Sequence, residues 1–380
     1  MPGKPENAFL EVPGESAWEA VCEVAQSLTL LKEQPMSRKP TVLVDPFFRK
    51  MDEIFSESDL RRLPEIVDVV WGRSESMPME DAVEALKEAE AVVCSSWHYG
   101  NVLYEAANLK AILTVSGAFP LDLDYDYCFA NGIRVLSAAP AFGRQVAEMA
   151  LGMAIACARG IVDGHLAMQD GTEIYSKEGN VGNFNLYGKR VGLIGFGGLA
   201  RSLHPLLEPF GCHIVVYDAW LGERYLRRQG VTPVPLEELM ETSQFIFVLA
   251  VPSDENRALL DRDLLECIRP DAALILVSRA HLVDFDALTE LLHAGRFRAA
   301  IDVFPQEPLD PAHPIRSAPN VVLSAHRAGS VKEAHWEIGE MVLDDLEAIA
   351  KGLPPQRMQR AEPELAQRYA STRVKGNRSS

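Results

Sequence analysis

The sequence predicts an α/β protein in which short apolar strands alternate with helices along both halves of the chain. With 380 residues there is room for two domains. In the first half, Thr41–Val44, Ala91–Cys94, Ala111–Val115 and Arg134–Leu136 read as strands, and Val102–Ala107 and Tyr125–Asn131 read as helices between them. The second half begins near Leu186, with strands at Val191–Ile194, Ile214–Tyr217, Phe245–Leu249, Ala273–Val277, Ala299–Asp302 and Val321–Leu323. Such alternation implies parallel sheets covered by helices on both faces. A helix at Gln145–Arg159 joins the halves. Another at Glu333–Ala350 follows the second and stops at Gly352, with Pro354–Pro355 beyond. Residues 1–39 lie outside the pattern; Val21, Val24, Leu28 and Leu31 fall at helical spacing there and read as an added helix packed on the body, or a helix for a partner. At the other end Arg357–Ser380 carries six Lys/Arg against two Glu and reads as a solvated, disordered tail.

The densest signal lies in Arg190–Asp218. An apolar strand runs into Gly195-x-Gly197-x-x-Ala200, a helical stretch follows, and a second strand ends on Asp218. Gly195 permits a tight turn, Gly197 lets backbone approach a pyrophosphate, and Ala200 keeps helix and strand close. The helix start adds unpaired N–H groups for the phosphates. Gly195, Gly197, Gly198, Leu199 and Ala200 are therefore the candidate phosphate cradle of a dinucleotide site. Asp218 lies 23 positions after Gly195, where a carboxylate accepts hydrogen bonds from both ribose hydroxyls. It repels a 2′-phosphate, and the adjoining Ala219 and Trp220 supply no cation, so NAD is expected rather than NADP.

The formal charge of −17 argues against nucleic acid or an anionic membrane as the main partner. Six scattered cysteines (Cys22, Cys94, Cys128, Cys157, Cys212 and Cys267) form no C-x-x-C pair. No metal site or disulfide framework is expected, and a reducing, cytoplasmic setting is. Met1–Asn7 leads into no apolar stretch, so no signal peptide is expected. Val146–Ala158 contains Glu148 and stops at Arg159, too short to span a bilayer.

Three blocks follow the glycine turn: V-S-R-A-H-L-V-D (Val277–Asp284), A-I-D-V-F-P-Q-E-P (Ala300–Pro308) and L-S-A-H-R-A-G-S (Leu323–Ser330). With the turn, they make the chain resemble the D-isomer-specific 2-hydroxyacid dehydrogenases from about Thr41 to Gly352. The resemblance implies two doubly wound parallel-sheet domains. A Rossmann NAD-binding domain would span 144–330, and a flavodoxin-like substrate domain would combine 1–143 with 331–380. It also implies a homodimer, paired through the cofactor domain, and interconversion of a D-2-hydroxy acid and its 2-oxo acid with NAD.

Arg279, Glu307 and His326 stand where the family carries its catalytic Arg, Glu and His. The types suit the reaction. A histidine titrates near neutrality and can move the proton, a carboxylate orients it, and a guanidinium pairs with a substrate carboxylate. Asp302 matches the family acid that contacts the nicotinamide carboxamide, with a local turn cap as its plainer role. Leu276, Ala280 and Ala325 replace the usual Asn, Gly and Pro of these blocks.

The first half departs further. The family's G-x-G turn reads V-S-G-A-F-P-L-D here, Val115–Asp122, with Phe119 at the second glycine. The amides near Ser116, Gly117 and Ala118 remain candidates for the substrate carboxylate. Trp97, His98 and Tyr99 are candidates to line a side-chain pocket, with interdomain packing an equal alternative. These aromatics, without Lys or Arg in either stretch, point toward a 2-oxo acid with an apolar or aromatic side chain. Formate is disfavoured because formate dehydrogenases carry Gln at Glu307, and phosphite because Val115–Asp122 lacks a Lys. The alternative of a different class is a non-catalytic NAD-sensing protein like the C-terminal-binding corepressors.

Overall fold

Val42, Leu43 and Val44 are fully buried and alternate between two hydrophobic cores, which makes the first strand a covered one. The computed structural model describes residues 38–370, so the helical spacing at Val21–Leu31 lies outside the described residues. The first sheet takes β1 (Thr41–Asp45), β2 (Asp68–Trp71), β3 (Ala91–Cys94), β4 (Ala111–Thr114) and β5 (Arg134–Ser137), all parallel. The second takes β6 (Arg190–Ile194), β7 (His213–Tyr217), β8 (Thr232–Pro233), β9 (Phe245–Val248), β10 (Ala273–Leu276), β11 (Arg298–Ile301) and β12 (Val321–Leu323). Its order is β12-β11-β10-β9-β6-β7-β8, the doubly wound arrangement of dinucleotide-binding folds. A final strand, β13 (Gln359–Arg360), pairs antiparallel with β5 and completes a first sheet ordered β13-β5-β4-β3-β1-β2. Both sheets are therefore α/β and helix-covered, as the alternation predicts.

The Gly143–Ala158 helix is rich in small residues because it packs closely. Ala147, Ala150, Ala154 and Cys157 join the core of the second sheet, while Glu148 faces water. The Lys332–Ala350 helix belongs elsewhere. Its Ile338, Met341, Val342 and Leu346 enter the core of the first sheet, against the helices Met51–Ile54 and Glu57–Ile66. The chain thus leaves the first sheet after Ser137 and returns to it after the second is complete.

Two readings need correction. Val102–Ala107 is not an α-helix; Gly100–Tyr104 is a short 3-10 turn with bonds such as Val102 N–H to the Tyr99 carbonyl. Nor is the basic tail wholly solvated. It supplies β13 and a helix at Pro363–Ala370, whose Ala366 is buried.

Asp345 organises that return. Fully buried on the Lys332–Ala350 helix, its carboxylate accepts the amides of Gln356 (2.6 Å), Arg357 (3.0 Å) and Met358 (2.8 Å). Replacing it leaves three amides without their acceptor, that of Met358 buried. Asp345→Ala is expected to lower the unfolding free energy by about 2–4 kcal/mol, read from urea denaturation.

Candidate active site

In the turn after β6, Gly195 has φ +89°, and a Cβ there would lie 2.6 Å from the Cα of Ala250. Only glycine fits this position. The next helix, Gly198–Leu207, makes its first bond from Arg201 N–H to the Gly197 carbonyl, so the amides of Gly197 to Ala200 precede the ladder. Nothing lies within 4 Å of where a Cβ would stand on Gly197 or Gly198, leaving room for a phosphate against them. Asp218, at the end of β7, accepts Phe196 N–H (2.7 Å) through one oxygen and the amides of Trp220 and Leu221 (both 2.9 Å) through the other. An amide-lined turn beside a carboxylate, where the strand order reverses between β6 and β9, fits a dinucleotide.

Beyond the three adjacent strands β10, β11 and β12 stand Arg279, Glu307 and His326. His326 Nδ1 lies 2.6 Å from Glu307 Oε2, and the other Glu307 oxygen accepts Phe304 N–H at 3.0 Å. Burial pushes the Glu307 carboxyl upward, but the bonds to His326 and Phe304 and the Arg279 charge outweigh it and hold it below the ordinary range. Arg279 keeps a solvent-exposed surface and donates to the Ser278 carbonyl (2.7 Å). Desolvation lowers its pKa while Glu307 opposes the shift, and a guanidinium remains cationic at neutral pH regardless. Asp302 is fully buried, its two oxygens accepting Arg327 N–H (2.9 Å) and Ala328 N–H (3.0 Å). It caps the loop that carries His326. A pocket of about 670 Å³ opens beside the pair, bordered by Phe304, Glu307, Leu309, Arg316, Ala325 and His326.

On the first sheet, Ser116, Gly117 and Ala118 follow β4 in a turn whose amides donate to no backbone carbonyl among the described residues. Ser137 Oγ and Ser116 Oγ brace the turn by donating to the Ser116 and Ala118 carbonyls. A Cβ on Gly117 would meet the Phe142 ring at 3.1 Å, and one on Gly329 would meet it at 2.9 Å. Phe142 therefore touches both this turn and the loop after His326.

Residues 151–328 match the profile of the D-isomer specific 2-hydroxyacid dehydrogenase NAD binding domain. Glyoxylate reductase of Thermofilum pendens is 31% identical over 314 residues, covering 80% of this chain and 91% of that protein. D-3-phosphoglycerate dehydrogenase of Methanocaldococcus jannaschii is 27% identical over 302 residues, 78% of this chain but 56% of its own length. The crystal structure of a phosphoglycerate oxidoreductase from Rhizobium etli superposes with a TM-score of 0.76 at 37% identity, covering 85% of this chain and 99% of that one. The chain belongs to the D-isomer specific 2-hydroxyacid dehydrogenase family. It is accordingly a 2-hydroxyacid oxidoreductase with a Rossmann-type domain for a nicotinamide cofactor.

Within this dehydrogenase, part of the expected substrate pocket must be revised. Trp97 and Tyr99 are each only 2% exposed and belong to the core beside β3, with Trp97 Nε1–H donating to the Gly100 carbonyl. The hydroxyl of Tyr99 donates to the buried carboxylate of Asp45 at 2.9 Å, which draws the ring inward. Phe119 is half-buried against the same core. The aromatic wall that pointed to an aromatic substrate is thus mostly packing. His98 stays partly exposed, with Nε2 3.4 Å from Asp45, whose hydrogen bond and charge raise the imidazole pKa against the pull of burial.

Arg49 escaped the sequence reading. Its Nε donates to the carbonyl of Val115 (3.1 Å), at the root of the Ser116–Ala118 turn, and its guanidinium pairs with Glu53 (2.9 Å) and faces Phe142. Glu53 in turn lies 3.1 Å from His335 Nδ1 on the Lys332–Ala350 helix. Only the i,i+4 spacing of Arg49 and Glu53 is visible in sequence. The described residues hold no cluster suited to a metal, and none of their helices alone is long and apolar enough to cross a membrane.

Proposed function

We propose that the chain is an NAD-dependent D-2-hydroxyacid dehydrogenase that uses His326, Glu307 and Arg279. The 2.6 Å contact between His326 Nδ1 and Glu307, with the Arg279 charge acting on the same carboxylate, carries this reading. Bound NAD(H) supplies or accepts the hydride. In reduction, Arg279 and the amides of Ser116, Gly117 and Ala118 hold the carboxylate of the 2-oxo acid, and the guanidinium polarises the oxo group. Nδ1 is committed to Glu307, so Nε2 of His326 gives its proton to the developing alkoxide. The Glu307 carboxylate steadies the imidazolium before transfer and fixes the ring. Oxidation reverses each step. Asp302 keeps the His326 loop in place, the plainer of its two expected roles, because its buried carboxylate is spent on the Arg327 and Ala328 amides and not on a nicotinamide carboxamide.

Asp218 supports NAD over NADP. Tertiary structure does bring a cation near, since Arg368 stacks over Trp220, but Glu255 lies 3.3 Å from that guanidinium and offsets it. The same reading divides the chain into a substrate domain of 1–143 plus 331–380 and a cofactor domain of 144–330. It also makes the protein a homodimer. The Ile161–Asp170 helix buries none of its residues and exposes Ile161, Leu166 and Met168, while Ile174, Tyr175 and Val181 beyond it are exposed too. So much apolar surface calls for a second copy to cover it.

Four outcomes are expected. Against glyoxylate, hydroxypyruvate, phosphohydroxypyruvate and phenylpyruvate, the wild type turns over with NADH in preference to NADPH. His326→Ala cuts kcat by about two to four orders of magnitude with NADH affinity kept; tight NADH binding with no turnover by the wild type on any acid would favour the sensor reading instead. Glu307→Gln removes the carboxylate that fixes the ring through Nδ1, so kcat falls about tenfold or more with NADH affinity kept. An unchanged kcat contradicts the pairing. Light scattering gives twice the chain mass, and a monomer at micromolar concentration excludes the dimer.

A further inference from the structure

The C-terminal segment is built into the first sheet yet touches the second half at a functional place. Ala361 N–H donates to the Val135 carbonyl as β13 ends, and the helix Pro363–Ala370 then packs on the Tyr125–Ala130 helix, with Ala366 buried. Its other contacts reach the 3-10 turn Asp254–Asn256. Arg368 joins two loops there. Its guanidinium carbon lies 5.3 Å from the centre of the Trp220 ring, and Nη1 lies 3.3 Å from Glu255 Oε2.

Those loops share a geometry. Trp220 sits in the turn after β7, fixed by its own amide bond to Asp218, and Glu255 sits in the loop after β9. β7 and β9 flank β6 on either side. In a doubly wound sheet, the crevice between the loops after these two strands receives the adenosine half of a dinucleotide whose phosphates lie on the turn after β6. Trp220 (38% exposed, with Arg368 over its ring) and Val251 (45% exposed) place apolar side chains at that crevice. A guanidinium suits the outer side of such a crevice because it is flat, stacks on π systems and donates in its own plane to ring nitrogens.

We propose that the Pro363–Ala370 helix is a strap across the adenosine end of the cofactor crevice, and that Arg368 is a cofactor-binding residue whose guanidinium closes on the adenine. This rests on reading Gly195–Ala200 and Asp218 as the dinucleotide site. The strap is rooted in the first sheet through β13, so holding the base also ties that sheet to the occupied crevice. The Pro363–Ala370 helix becomes part of the cofactor site.

The test is equilibrium binding, in the full-length protein, of NADH, AMP and reduced nicotinamide mononucleotide, by calorimetry or fluorescence titration. Arg368→Gln is expected to weaken NADH and AMP each about fivefold, as for loss of one cation–π contact, and to leave the nicotinamide fragment unchanged. Arg368→Lys, which keeps the charge without the plane, recovers only part of the loss. Arg368 is exposed, so neither variant threatens folding. Unchanged AMP binding in Arg368→Gln, beside normal binding by the wild type, overturns the strap and leaves the dinucleotide site standing. Equal weakening of the nicotinamide fragment also overturns it, because the effect is then not at the adenosine end. Wild-type protein that binds neither NADH nor AMP brings down both readings together.

Discussion

Asp302 ends its strand region with a carboxylate that never meets solvent and is spent on two amides, those of Arg327 and Ala328, while its own carbonyl accepts the amide of His326 at 2.7 Å. These three bonds hold His326 at φ +52°, a left-handed conformation that a residue with a Cβ rarely adopts. Such backbone costs about 1–3 kcal/mol and persists only where surroundings over-determine it. Here the outcome is specific: the imidazole meets Glu307 and the loop runs on to Gly329. The proposed acid–base pair thus depends on a buried residue that has no need to touch the substrate.

The second constraint is the Phe142 ring, which lies against Gly117 on one side and Gly329 on the other. One belongs to the turn proposed to hold a carboxylate, the other to the loop that follows His326, proposed to move the proton. An aromatic ring therefore sets the spacing between these two segments. Arg49, facing the same ring and bonded to Val115, steadies the anchoring side.

What was legible in the sequence follows from how each feature is made. Strands buried on both faces, such as Val42–Val44 and Phe245–Val248, are continuous apolar runs and read correctly. β8 and β13 are two-residue edge strands that owe their existence to backbone pairing with a neighbour, so no apolar run marks them, while β2 is an edge strand whose short Val69–Trp71 run begins on an exposed Asp68. The glycine turn was legible because its φ angle and close approach exclude other residues. Trp97 and Tyr99 were not. An aromatic residue after a strand has the same type whether it faces a crevice or a core, and the deciding group is Asp45, more than 50 residues away. Arg49 with Val115 and Arg368 with Glu255 join positions 66 and 113 residues apart, a relation that no local pattern encodes.

The return of the Lys332–Ala350 helix to the first sheet carries a consequence for biosynthesis. Ile338, Met341 and Leu346 complete a core whose other members, Val42, Ile54 and Leu63, are translated well before them. Every strand of the second sheet lies between the two groups and pairs without the Lys332–Ala350 helix. The later-made sheet can therefore mature first on the ribosome, while the earlier one waits with an open apolar face until that helix is made. At elongation rates of about 5–20 residues per second that interval lasts many seconds, the window in which a chaperone has most to protect.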